Sequence, residues 1–347
     1  MKLGLMTGYA GSTVKIPMDT ILHAESLGFE SVWTAEAYGA DAVSTATWIL
    51  AQTSTIKVGT AIMQMPARTP AMAAMTAMSL SHLSGNRFIV GLGASGPQVV
   101  EGWHGVPYGK PVTRLKEYIA IMKAIFAREE PVTFEGVQYQ LPYTGAGATG
   151  LGKPLKSILH CNEEIPIYAA TITPAGVKAA AEVADGFFPV WMDPEQFHVF
   201  EKPVQEGFRA AGGNKSLKDF TIAPFVRVVI GDDVETCMQP IKNNLALYIG
   251  GMGARSKNFY NDYAKRLGFE EAAVKIQDLY LDGKKAEAAA LVPDELVDAC
   301  NLVGPVDRIR DRAQRWVAAG KAGHVSTMLL GADTSREGLE LMAGLIA

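Results

Sequence analysis

Short apolar runs alternate with amphipathic, alanine-rich stretches along the first third of the chain, and the two periodicities separate strands from helices. Leu3 to Thr7, Ser31 to Thr34, Lys57 to Ile62 and Phe88 to Leu92 read as buried strands. Met18 to Leu27 closed by Gly28, Ala42 to Gln52, and Ala71 to Leu83 stopped by Gly85-Asn86 read as helices between them. Thr113 to Ala127 follows with Leu115, Ile119, Met122 and Phe126 at helical spacing. Four strand–helix repeats imply parallel strands joined by right-handed crossovers.

The rhythm then breaks for about 35 residues, far more than the usual βα loop of about 2 to 6. Val132 to Leu141 alternates around Glu135-Gly136 and reads as a small hairpin, with a glycine-rich segment from Gly145 to Gly152 after it. Strands resume at Ile165 to Ala169, Gly186 to Trp191 and Ile222 to Ile230, with helices over Pro174 to Val183, Pro194 to Ala211 and Val234 to Tyr248. Between Gly250 and Gly304 lies a second, helical excursion over Tyr260 to Leu267, Ala272 to Leu281 and Pro293 to Ala299. A helix over Pro305 to Ala319, an eighth strand over Val325 to Leu330 and a terminal helix complete the chain. Eight strands predict an α/β fold, a closed (β/α)8 TIM barrel with insertions after strands 4 and 7, forming a single domain over residues 1–347.

The composition fits that expectation and narrows the function. Of 347 residues, 48% are hydrophobic and 20% charged, enough for a large core. The net charge of −4 is spread along the chain, with no basic stripe for nucleic acid and no polybasic segment for a membrane surface. Three distant cysteines outside any C-x-x-C arrangement fit reduced thiols in a cytoplasm. No apolar run approaches the roughly 18 residues of a membrane span, and the first residues are too short for a signal sequence. Six scattered histidines form no H-x-x-x-H or H-E-x-x-H pattern, so no metal is expected, and no G-x-S-x-G elbow supports a hydrolase. His104 could approach a pocket, although a surface position is the commoner explanation.

Four stretches at predicted strand ends could carry chemistry, because barrel active sites form at the C-terminal ends of the strands. Lys57 to Pro70, KVGTAIMQMPARTP, leaves a strand and enters a helix at Pro70, which suits a first helical turn. Gly91 to Gly96, GLGASG, fits a dinucleotide fingerprint by spacing but follows the fourth strand rather than the first, and Glu117 at the acidic position lies within a helix. Glycines needed for a tight backbone remain the simpler account. In Tyr168 to Pro174, YAATITP, small residues, two hydroxyls and a helix N-terminus would suit an anion, or Thr173 merely caps the helix. Trp33 to Tyr38, WTAEAY, ends the second strand with the carboxylate Glu36, either a general acid or base or a loop cap.

Taken together, the Gly59-Thr60-Ala61-Ile62 ending of the third strand, the Pro-x-x-x-Pro that follows and the placement of the other three stretches resemble the luciferase-like flavin and deazaflavin oxidoreductases, especially their coenzyme F420-dependent branch. The resemblance implies a non-prolyl cis peptide at Ala61-Ile62 in a bulge supporting the cofactor ring, with Thr60 beside it. It places Glu36 near the ring as the best titratable candidate. It sets Gly93, Ala94, Ser95 and Gly96, with Ala170, Thr171, Ile172 and Thr173, around the cofactor's phosphate-bearing side chain. The implied reaction is hydride transfer between the deazaflavin C5 and a small organic substrate, in a homodimer or higher homo-oligomer. Ala37 and Gly96 stand where sugar-phosphate-oxidising relatives carry a histidine and a glutamate, which argues against that activity. The alternatives are an FMN-dependent monooxygenase of the same family and a cofactor-binding protein without turnover.

Overall fold

A computed structural model describes residues 1–161 and 164–346. Eight parallel strands form the barrel: β1 (Lys2–Met6), β2 (Ser31–Thr34), β3 (Lys57–Thr60), β4 (Phe88–Gly93), β5 (Ile167–Ala170), β6 (Gly186–Phe188), β7 (Thr221–Ile222 and Phe225–Val226) and β8 (Thr327–Gly331). Each pairs with its sequence neighbours, and β8 pairs with β1. Closure runs through β7, whose first segment pairs with β6 and whose second pairs with β8. The handover falls at Ala223-Pro224, where Ala223 N still donates to Phe187 O of β6 while Pro224 O accepts from Leu329 N of β8. The continuous strand expected over Ile222 to Ile230 is therefore interrupted, because proline has no N–H to give to a ladder. Its last part, Val228–Ile230, pairs in parallel with Leu302–Gly304, a short strand that the periodicity did not reveal.

Helices α1 (Met18–Ser26), α2 (Ala42–Gln52), α3 (Pro70–Ser84), α4 (Pro111–Ala127), α5 (Pro174–Val183), α6 (His198–Ala210), α7 (Val234–Ala246) and α8 (Arg336–Ile346) succeed the eight strands. Their start signals are local. Asp41 caps α2 by accepting from Val43 N and Ser44 N, and Thr69 caps α3 ahead of Pro70. The hairpin expected before β5 is present as Phe134–Glu135 against Gln140–Leu141, and helices Phe259–Arg266 and Glu270–Leu281 follow α7. Among the described residues no helix is long and apolar enough to cross a membrane.

The core divides at the sheet. One large cluster lies between strands and helices, while Trp33, Ile89, Tyr168, Phe188, Ala223 and Leu329 form a second cluster on the opposite face, inside the barrel. Trp33 stacks on Tyr168 at 5.4 Å and meets Phe188 edge-on at 5.0 Å. Both polar tips are satisfied, since Trp33 Nε1 donates to Ser31 Oγ and Tyr168 OH donates to Thr221 Oγ1. Burial first, opposed by that hydrogen bond, pushes the Tyr168 phenol up to about 12.

An indole fits there because its neighbour lacks a side chain: a Cβ on Gly59 would lie 2.2 Å from Trp33 Cζ3. Gly91 is more constrained still, with Thr60 O only 1.7 Å from where its Cβ would stand. Backbone cannot swing aside as a flexible side chain does. Gly91→Ala is therefore expected to lose about 3 kcal/mol of unfolding free energy, the upper part of the overpacking range. Gly11→Ala, with nothing within 4 Å, is expected to change stability by about 0.5 kcal/mol or less. Guanidinium denaturation of the two variants measures the difference.

Candidate functional site

The third strand stops pairing at Thr60, the Ala61-Ile62 peptide is cis, and Met63–Gln64 then resume pairing with Leu92 and Gly93 of β4. This is the bulge at the position the resemblance implied. Thr60 does not reach a ligand with its side chain: it is fully buried, and its Oγ1 donates to Gly91 O at 2.9 Å and accepts from Gly91 N at 3.0 Å. Ile62 lies over Gly93, whose Cβ would stand 2.7 Å from Ile62 Cγ1. Gly91 and Gly93 thus admit the bulge, and the Gly-x-Gly spacing reflects close approach of a neighbouring strand. Beyond them Ala94 packs on the core, Ser95 turns with φ of 60°, and Gly96 precedes the short helix Pro97–Gly102.

Glu36 clamps the bulge from the side. Its carboxylate, 7% exposed, accepts from Gln64 N at 3.1 Å and Arg68 Nη1 at 2.7 Å on Oε1, and from Ala42 N at 3.0 Å and Arg68 Nη2 at 2.8 Å on Oε2. Both oxygens accept from protein donors, so Glu36 joins the β2 loop, the start of α2 and the residue after the bulge, as the loop-cap alternative required. Arg68 Nη2 also pairs with Asp41. Burial pushes the Asp41 carboxyl up, but hydrogen bonds from Ser44 and the guanidinium prevail and hold it below the usual carboxylate range.

Gln64 extends the network inward. Its Nε2 donates to Ala37 O, which leaves Oε1 to accept from His104 Nε2 at 3.2 Å. His104 accordingly belongs to the site, with its proton on Nε2 in this arrangement. Neither Gln64 nor Arg68 stood out in the sequence. Their signal was the M-Q-M-P-A-R run, which has meaning only once Glu36, 32 positions earlier than Arg68, is folded against it.

The β5 loop leaves the sheet beside the bulge, since Leu92 of β4 is in register with Ala169 of β5. Ala170 packs on the inner cluster. Thr173 Oγ1 accepts from Gly176 N at 3.1 Å, so the capping reading of Thr173 holds. Thr171 Oγ1 stands 1.8 Å from where a Gly176 Cβ would lie, which sets both hydroxyls against the first turn of α5. Ile172 contributes its carbonyl, which accepts from Arg266 Nη2 at 2.7 Å. That arginine, unforeseen in the sequence, comes from the excursion helix Phe259–Arg266 and lies over the Tyr263 ring. Residues from β2, β3, β4 and β5 therefore converge at one side of the barrel mouth, where small side chains, helix N–H groups and an arginine suit an anionic, ring-bearing ligand.

The profile described as luciferase-like monooxygenase matches residues 3–322. A protein of Mycobacterium tuberculosis (strain ATCC 25618 / H37Rv), provisionally named coenzyme F420-dependent oxidoreductase Rv3520c, is 43% identical over 345 residues, covering 99% of this chain and 98% of its own. The 5,10-methylenetetrahydromethanopterin reductase of Methanolobus tindarius is 27% identical over 315 residues, covering 88% of this chain and 90% of its own. Among solved structures, the coenzyme F420-dependent tetrahydromethanopterin reductase from Methanopyrus kandleri aligns with a TM-score of 0.78 and 22% identity, covering 99% of this chain and 98% of that one. The last comparison is a likeness of fold.

Arg68→Ala strands the Glu36 carboxylate without its charge partner and is expected to cost about 3–5 kcal/mol, whereas Glu36→Gln with Arg68→Met should cost less than the sum of the two single changes. Chemical denaturation of the four variants, Arg68→Ala, Glu36→Gln, Arg68→Met and the double change, checks this. The folded state lowers the Asp41 pKa, so its contribution is complete above the ordinary carboxylate range and is lost as pH falls through the lowered folded value. Asp41→Asn should flatten the acid limb of the stability–pH curve, read by thermal melts across that range.

Proposed function

This chain belongs to the luciferase-like monooxygenase family, and we propose that within it the protein binds coenzyme F420 and exchanges a hydride with a small organic substrate. The observation that carries the reading is the bulge at Ala61-Ile62, braced by Glu36, Arg68 and Gln64 and seated on Gly91 and Gly93, beside a phosphate-ready β5 loop. The 43% identity to the mycobacterial protein favours F420 over FMN.

The residues fit that cofactor. Ala61 and Ile62 offer a ledge for a flat ring. Ser95, Gly96 and Ala170 to Thr173 would hold the phosphate end, with the Thr171 hydroxyl, the N-terminus of α5 and the Arg266 charge alongside. The bound deazaflavin would supply hydride exchange at C5. The protein's share is to bind, orient and exclude water. Glu36 acts as a positioning residue, through the backbone of Gln64. Trp48, Met72, Met75 and Leu83 are exposed apolar side chains on α2 and α3, and a second copy of the chain is the partner we assign to that face.

Titration of the purified protein, followed by cofactor fluorescence, should show oxidised F420 binding more tightly than FMN or NADPH; binding of flavin alone would move the protein to the monooxygenase reading. Thr171→Val should weaken F420 roughly ten- to a hundred-fold, the range for one hydrogen bond to a charged group, and Ala170→Leu should weaken it further by blocking the backbone. Wild-type affinity in both folded variants would put the phosphate elsewhere.

A further inference from the structure

The rest of the mouth is aromatic. Trp191 leaves β6 with φ of 47°, a left-handed conformation that is a genuine outlier for so bulky a residue and that occurs where surrounding structure enforces it, often at ligand sites. Around it stand Tyr260 at 5.5 Å, Tyr248 at 6.0 Å and Tyr263 at 6.2 Å, and Tyr248 meets Tyr260 edge-on at 4.8 Å. Tyr9, from the loop after β1, lies close enough to act electrostatically on the Tyr248 phenol, and Tyr9 and Tyr108 both lie close enough to act on Tyr260. Three segments distant in sequence, around Tyr9, around Tyr108 and from Tyr248 to Tyr263, thus bring their phenols to the Trp191 ring. Tyr263 is core, but Trp191, Tyr108, Tyr248 and Tyr260 are half-buried and Tyr9 is 63% exposed, so the cluster opens to solvent.

The charges that reach these phenols are engaged elsewhere. Arg227, near Tyr248, pairs with Asp333 at 3.3 Å. Arg114, near Tyr108, donates to Pro107 O and Gln138 Oε1. Arg266, beyond Tyr263, is held by Ile172 O. Burial, reinforced by the neighbouring rings, pushes the phenols of Tyr248 and Tyr260 far up, so they stay neutral O–H donors. Rings and neutral hydroxyls suit an apolar body with an uncharged oxygen, and each of these guanidinium groups already donates to a protein acceptor.

We propose that Trp191, Tyr9, Tyr108, Tyr248 and Tyr260 form the substrate wall, and that the substrate is an uncharged carbonyl or hydroxyl compound with an apolar skeleton, its oxygen hydrogen-bonded by a phenol. This rests on the F420 reading for what happens to the substrate but not for how it is bound.

Cyclohexanone and glucose 6-phosphate are suitable probes, titrated calorimetrically with and without oxidised F420. Cyclohexanone should bind saturably in at least one condition, and Tyr248→Phe with Tyr260→Phe should weaken it about five- to tenfold, the size of one or two neutral hydrogen bonds. Glucose 6-phosphate should not saturate. The inference is overturned by preferential binding of the phosphate ester, by cyclohexanone affinity unchanged in the folded double variant, or by no cyclohexanone binding in either condition. F420 titration of the same samples separates the two ideas: intact F420 binding beside any of those results removes the substrate wall and leaves the cofactor reading standing.

Discussion

The Glu36–Arg68 pair is the interaction on which the mouth of this barrel depends. It is bidentate and largely withdrawn from water, and its oxygens also take the backbone N–H groups of Ala42 and Gln64. One carboxylate thereby ties the end of β2 to the first turn of α2 and to the residue that resumes pairing after the bulge. Buried ion pairs contribute little net stability when compared with apolar replacements, but removing one partner is costly, so such a pair specifies an arrangement more than it strengthens a fold. Here the arrangement specified is the backbone between Thr60 and Gln64.

The barrel interior makes that backbone possible from below. Gly59 leaves room for Trp33, and Gly91 and Gly93 leave room for the Thr60 carbonyl and the Ile62 side chain. The Thr60 hydroxyl then locks β3 to β4 by bonding both backbone groups of Gly91. Packing and function are linked through the same few residues. A side chain added at Gly91 would disturb the core and the ledge together.

Much of the barrel was legible because its signals are local. Apolar runs, Pro70 and Pro174 at first helical turns, and Gly85 with Asn86 after a helix act within a few residues of the structure they determine. The misses have the opposite character. The break in β7 at Ala223-Pro224 depends on which neighbour each segment pairs with, and Leu302–Gly304 is too short to show a period. At the site, the placement of strand ends was readable, but the choice between acid or base and loop cap for Glu36 was not, because Arg68 and Gln64 meet it only in the fold. Gly91 to Gly96 could be read as tight backbone or as a ligand loop, because glycines needed for a close strand and glycines needed for a ligand have the same spacing. Arg266 and Tyr260 lay in a polar helical stretch with nothing to mark which turn would face the barrel.

The account turns on whether the braced bulge is where the cofactor ring rests. A crystal structure of the protein with oxidised coenzyme F420 tests this most directly. The prediction is ring density packed on Ala61 and Ile62, with the phosphate-bearing side chain running toward Ala170 to Thr173 and the Glu36–Arg68 pair unchanged. Ring density away from the bulge, or a Glu36 carboxylate released from Arg68 to touch the ring, would contradict it.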